Sequence, residues 1–125
     1  MGFIERMKEE AKKKKLKLVL PEGRDSRVIS AAKMLIDEDL ISEVFLVGDD
    51  SEIKKNADSL GVKLNDRITI VNPEKSPKLD EYANEYYELR KHKGMTEEQA
   101  DKEIRNVLYW GSMMVKKDEA YALVA

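Results

Sequence analysis

Leu16-Lys17-Leu18-Val19-Leu20, followed at once by Pro21-Glu22-Gly23, is the stretch on which the fold turns. A short apolar run stopped by proline and glycine reads as a buried strand that ends in a loop. Downstream, Asp25 or Ser26 can cap a helix whose apolar face is Val28, Ile29, Ala32, Leu35 and Ile36. A second run, Glu43-Val44-Phe45-Leu46-Val47, stops at Gly48-Asp49-Asp50. Ser51 is then expected to open a helix with Ile53, Ala57 and Leu60 on one face and Gly61 as its C-cap. Arg67-Ile68-Thr69-Ile70-Val71 is a third strand, closed by Asn72-Pro73. Short strands separated by helices require parallel pairing and right-handed crossovers.

Upstream, Phe3, Ile4, Met7 and Ala11 recur at helical spacing and predict an amphipathic first helix, acidic early and lysine-rich late. The run Lys12–Lys15 is read as the solvated end of that helix rather than a phosphate or membrane patch. From Pro77 to Lys116 only helical periodicity is present. Leu79, Tyr82, Ala83, Tyr86, Tyr87 and Leu89 mark one helix ending at Lys93-Gly94; Thr96 and Gln99 form a capping box for a second. Val107, Leu108, Trp110, Met113, Met114 and Val115 mark a third. Tyr121–Ala125 reads as a fourth strand with no helix after it, so an open sheet edge and association with a second copy are expected. The expected architecture is a three-layer α/β/α domain with a mainly parallel, Rossmann-like sheet and a helix-rich second half, spanning 1–125 as one unit.

Composition bounds the function. The 125 residues are 38% charged, well above the ~25% of an average domain. Yet 23 Lys+Arg nearly cancel 25 Asp+Glu, leaving a net charge of −2, which argues against a general nucleic-acid binder. There is no cysteine and one histidine, His92, which excludes disulfide frameworks, cysteine nucleophiles and His-rich metal sites. No apolar run approaches the ~20 residues of a membrane span, and the first residues lack a signal-peptide core. A cytoplasmic location with no membrane partner is expected.

The familiar phosphate motifs are missing. No G-x-G-x-x-G follows a strand and no G-x-x-x-x-G-K-[ST] exists. Gly48-Asp49-Asp50-Ser51 is better read as a turn and helix cap than as a magnesium site, and no metal is expected. Pro21-Glu22-Gly23-Arg24 and Gly48-Asp49 follow strands, where open α/β sheets place ligands; Glu22 and Arg24 can equally be surface turn residues. Tyr82, Tyr86, Tyr87, Tyr109 and Trp110 suit core packing at their helical spacing, with purine stacking as the other use. Arg90-Lys91-His92-Lys93 at a helix end either complements the helix dipole or clamps ligand phosphates.

Taken together, Leu20-Pro21-Glu22-Gly23, Val47-Gly48-Asp49, Tyr87-Glu88-Leu89-Arg90-Lys91-His92-Lys93-Gly94-Met95-Thr96 and Trp110-Gly111-Ser112-Met113-Met114-Val115-Lys116 resemble the amino-terminal part of phosphate acetyltransferases. The resemblance runs along the whole chain in order. It implies one part of a two-domain α/β/α enzyme, usually a homodimer, that turns acetyl-CoA and phosphate into acetyl phosphate and CoA. It implies that Arg90 contacts CoA. It places the thiol base and the charge-stabilising groups beyond the position matching Ala125, so no catalytic residue is assigned here and the 125 residues alone are expected to be inactive. No cofactor is implied; acetyl-CoA and phosphate are substrates. Tyr121-Ala122 stand where the family usually has Asp-Gly. The alternative reading is a non-catalytic CoA- or phosphate-binding or assembly module of the same fold.

Overall fold

The computed structural model describes Gly2 and residues 16–64 and 66–124. The helix expected over Phe3–Ala11 and the lysine run Lys12–Lys15 lie outside the described residues. The described elements alternate as expected from the punctuation of the sequence: β1 (Lys17–Leu20), α1 (Ser26–Asp37), β2 (Glu43–Val47), α2 (Asp50–Leu60) and β3 (Ile68–Val71). Three helices follow, α3 (Leu79–Arg90), α4 (Glu97–Ile104) and α5 (Val107–Lys116), then β4 (Ala122–Leu123). One-turn 3₁₀ segments at Pro73–Lys75 and Lys91–Lys93 flank α3.

The sheet is parallel throughout, in the order β3-β2-β1-β4. Leu18 pairs with both Val44 and Ala122, which makes β1 a central strand. A central parallel strand is covered on both faces, and its sequence is apolar on both. Successive side chains point to opposite faces, so each strand feeds two cores. Leu20, Val44, Leu46 and Ile68 pack under α1 and α2, against Ile29 and Ile53. Val19 and Val47 face the other way, into a second core with Tyr82, Tyr86, Trp110 and Met114 of α3 and α5. These two cores are the three-layer arrangement.

The helix ends follow their capping chemistry. Asp25 caps α1 by accepting from the Arg27 N–H, and Gly61 closes α2 in the left-handed region at φ 69°. The cap of α2 is Asp49, accepting from the Glu52 N–H, so this helix opens before the Ser51 expected from sequence. The Thr96–Gln99 capping box on α4 is present in both directions. β4 is shorter than the five-residue strand expected: Ala122 and Leu123 are in register with β1, and Tyr121 and Val124 on either side donate their N–H groups to the Lys17 and Val19 carbonyls.

Two close approaches set the shape at the strand ends. A Cβ on Gly23 would stand 3.0 Å from the Leu46 carbonyl carbon and the Val47 oxygen, so the loop after β1 lies directly on the end of β2. On Gly111 it would stand 2.8 Å from Leu123 Cδ1 and 2.9 Å from Val19 Cγ1. The missing side chain lets α5 rest against β1 and β4, as the stretch Trp110-Gly111-Ser112 requires.

Candidate functional site

An open cleft of about 860 Å³ lies beyond the carboxyl ends of β1 and β2. Glu22, Gly23 and Arg24 form one side, Gly48 and Asp49 another, and Arg105 and Asn106 close it from the α4–α5 joint. Both loops singled out by sequence therefore meet in one cavity. The capping residues Asp25, Asp49 and Asn106 all line it, so three helix N-termini face the same space. Helix N-termini carry a partial positive charge that favours anions.

Several charged side chains of this cleft already have ion-pair partners. Arg24 stands 3.8 Å from Glu52, and its carbonyl accepts from Asn56 at 2.6 Å. Arg27 pairs with Asp25 at 3.0 Å, and that hydrogen bond holds the Asp25 carboxyl below its usual range. Arg105 pairs with Asp101 at 3.1 Å and lies 3.9 Å from Glu74. At the next strand end, the Asp50 carboxylate accepts from Asn72 and Lys75, which lowers its pKa. Among the described residues, no group of three or more His, Asp or Glu gathers where it could hold a metal.

Arg90 differs. It ends α3, exposed, and its guanidinium carbon sits 5.7 Å from the centre of the Tyr86 ring. Arg24, Arg27, Arg67 and Arg105 each have a carboxylate partner, whereas Arg90 has none among the described residues. Beneath it, Tyr86 is buried, its ring stacked on Tyr109 at 5.9 Å and its hydroxyl donating to Glu103 at 2.9 Å. Burial and this carboxylate push the Tyr86 phenol up to about 12. α3 packs on α5 through its rings, Tyr82 on Trp110 at 4.3 Å and Tyr86 on Tyr109 at 5.9 Å, and Arg90 lies one turn beyond Tyr86 at the end of α3. Arg90 is not itself among the cleft's lining residues.

The basic run after Arg90 is a 3₁₀ turn closed by Gly94 at φ 85°. Lys91 folds back onto Glu88 at 2.6 Å. The aromatic set divides by packing: Tyr82 and Trp110 are core, Tyr86 is core with a polar tip, and Tyr109 is exposed. Sequence reasoning passed over Asn106, Arg105 and Glu103. The first shows in retrospect as an Asn just before the apolar run of α5, a cap signal. Arg105 pairs with Asp101 at the i,i+4 spacing that a helix brings together, which the sequence does show, while Glu103 acts through Tyr86, distant in sequence, and no local pattern marks it.

The fold agrees with what the chain is similar to. Residues 2–125 match the family model described as "Phosphate acetyl/butaryl transferase". The phosphate acetyltransferase of Acetivibrio thermocellus is 45% identical over all of this chain, which covers 36% of that protein. The one from Thermoanaerobacterium thermosaccharolyticum is 41% identical, again over all of this chain and 37% of the relative. A phosphotransacetylase crystal structure from Streptococcus pyogenes superposes with a TM-score of 0.88 at 35% identity, covering 98% of this chain and 37% of that one. The chain thus spans a little over a third of the length of these relatives. With its motifs, its parallel three-layer fold and its match from residue 2 to residue 125, it belongs to the phosphate acetyl/butyryl transferase family.

Proposed function

We propose that the chain is the amino-terminal α/β portion of an acyltransferase that converts acetyl-CoA and phosphate to acetyl phosphate and CoA, and that Arg90 contacts a phosphate of CoA. The observation that carries the second part is the pairing of the arginines. Each of the other described arginines is balanced by a carboxylate, while Arg90 presents an exposed guanidinium with none. A guanidinium offers a planar fork of donors that matches phosphate oxygens, and one left unpaired needs no ion pair broken first. The strand-end cleft, ringed by three helix N-termini, is the wall along which the rest of such a ligand lies.

Turnover needs more than this wall. Acyl transfer to phosphate requires a base for the CoA thiol and donors for the oxyanion that develops. Holding both substrates in line can supply roughly 7–11 kcal/mol of the barrier reduction, but only with both walls of the site in place. The 125 residues alone should therefore show background thiol release from acetyl-CoA in phosphate buffer. Supplying the remaining part of a family member in the same cell should bring phosphate-dependent release.

The binding claim is tested by titrating CoA into the chain in a calorimeter at low salt. Arg90→Ala should abolish the heat of binding, and Lys14→Ala in the lysine run should leave it. Equal loss in both variants would mean nonspecific charge attraction and would remove Arg90 from the site. Self-association belongs to the same proposal: Tyr121 and Val124 flank the edge strand β4 at 61% and 55% exposure. Light scattering at micromolar concentration should give a dimer or larger species, against a concentration-independent monomer.

A further inference from the structure

Tyr86 touches both the exposed Arg90 and the carboxylate of Glu103. One phenol serves both charges. Its ring face carries the Arg90 guanidinium at 5.7 Å, and its hydroxyl donates to Glu103 Oε2 at 2.9 Å. Three helices converge to hold it: Tyr86 on α3, Glu103 on α4 and Tyr109 on α5, the last stacked on the Tyr86 ring at a 26° tilt. Tyr86 is 6% exposed, whereas Arg90 and Glu103 are both exposed and long enough to reorient. Each of the other described arginines pairs with a carboxylate, as at Arg67–Asp39 and Arg105–Asp101. Arg90 and Glu103 do not, although they flank the same side chain.

We propose that Tyr86 is a positioning residue for Arg90: its ring seats the guanidinium and its hydroxyl withholds Glu103 from it. The role of Arg90 toward CoA is taken from the proposed function; the arrangement of Tyr86, Glu103 and Arg90 is independent of any ligand. The hydroxyl is the part that matters for availability. A phenol hydrogen bond to a carboxylate is charge-assisted and short-range, and it fixes where the negative charge sits. Without it, Glu103 gains the same option as every other carboxylate near an arginine. A ring without a hydroxyl still gives Arg90 its cation–π seat, because that attraction comes from the ring face.

The variants Tyr86→Phe, Glu103→Gln and their combination separate these parts. The first readout needs no ligand: the Nε–Hε signal of the Arg90 guanidinium in nitrogen-15 NMR. Tyr86→Phe should move this signal and make it follow the titration of a carboxylate between pH 3 and 6. In the double variant it should return to its original position and lose that pH dependence. The second readout is calorimetric titration with CoA at low salt. Tyr86→Phe should weaken binding by up to about fivefold, the size of one exposed ion pair, and the double variant should recover it. A merely structural tyrosine would give no such recovery, since Glu103→Gln adds no packing.

An Arg90 signal unmoved in Tyr86→Phe, or a double variant that behaves like Tyr86→Phe, overturns the inference whatever CoA does. If the NMR signal responds as stated and wild-type chain gives no heat with CoA, the positioning role stands and the assignment of Arg90 to CoA falls. Glu103→Gln alone covers the case in which Tyr86→Phe does not fold. Its CoA affinity and Arg90 signal should match wild type, because the carboxylate is already withheld. A several-fold gain in affinity would show that Glu103 acts on Arg90 with Tyr86 in place, and would sink the proposal.

Discussion

Removing a single oxygen, in Tyr82→Phe, tests how the last strand is held to the sheet. The Tyr82 hydroxyl donates a hydrogen bond to Glu119 in the turn just before β4, while its ring packs on Trp110 at 4.3 Å. Glu119 also accepts from Lys78 Nζ at 2.9 Å, and Lys117 lies over the Tyr82 ring while pairing with Glu85. Phenylalanine keeps the ring and its packing and takes away only the donor. A hydrogen bond to a charged group is worth about 1.5–3 kcal/mol. For a chain of this size each kcal/mol moves Tm by about 3–6 °C, so a drop of about 5–18 °C at pH 7 is expected. Burial alone would raise the Glu119 pKa, but the hydrogen bonds from Tyr82 and Lys78 outweigh it and leave the carboxyl below its ordinary 4.5. A carboxyl depressed in the folded state stabilises fully above its unfolded pKa, and that stability is lost as pH falls through the folded value. Tyr82 is raised, by burial first and by Glu119 second, so its contribution is full below the unfolded value of 10.0 and declines as pH climbs past it. The gap between wild type and Tyr82→Phe should thus be widest between those two unfolded values and narrow as pH falls through the lowered Glu119 value. Circular-dichroism melts from pH 7 down to the acid limit of the fold measure it. A gap of less than about 1 °C at pH 7, or one that never narrows as acid is added, would refute the clasp.

Three further outcomes follow from packing and capping. Trp110→Ala, which empties a buried site at 1% exposure, should cost about 3–5 kcal/mol, read as a lower urea midpoint; a loss under about 1 kcal/mol would place Trp110 outside the core. Gly111→Val sets methyls where Val19 and Leu123 already stand 2.8–2.9 Å from a Cβ, and overpacking of this kind should cost about 1–3 kcal/mol. Hydrogen exchange should show the strand amides at β4 opening before those of β2. Thr96→Ala removes one half of the α4 capping box, so a loss of about 1 kcal/mol is expected, with Thr96→Ser restoring it in the same melts.

The sequence carried the sheet because its signals there are local. Leu16–Leu20 stops at Pro21 and Glu43–Val47 stops at Gly48, which is enough to mark two buried strands; that their side chains divide between two cores is seen in the fold. Capping was legible where one residue decides it, as at Thr96, and misplaced where two acids compete. Asp49 and Asp50 both precede Ser51, and the cap goes to Asp49 because its side chain reaches the Glu52 N–H at 2.9 Å. The registered part of β4 is only Ala122 and Leu123, opposite Leu18 and Val19, although the flanking N–H groups of Tyr121 and Val124 still donate to the Lys17 and Val19 carbonyls.

The site was harder to read, and for one physical reason. Whether an arginine can bind a ligand anion depends on what already neutralises it, and most of those partners are far away in sequence. Glu52 answers Arg24, Asp39 answers Arg67, and Glu74 stands opposite Arg105, each fixed only by how α1, α2 and the loop after β3 are stacked on the sheet. In sequence, Arg24 in its Pro-Glu-Gly-Arg loop looks as well placed for a phosphate as Arg90 does. In the fold they separate, because the loop after β1 is pressed onto β2 beside Glu52, while α3 carries Arg90 past the packed cores onto an aromatic ring. The basic cluster at the end of α3 was visible as composition. That its arginine alone among those described stays unpaired is a property of the helix packing, and it is this that makes Arg90 the position where ligand binding should first be tested.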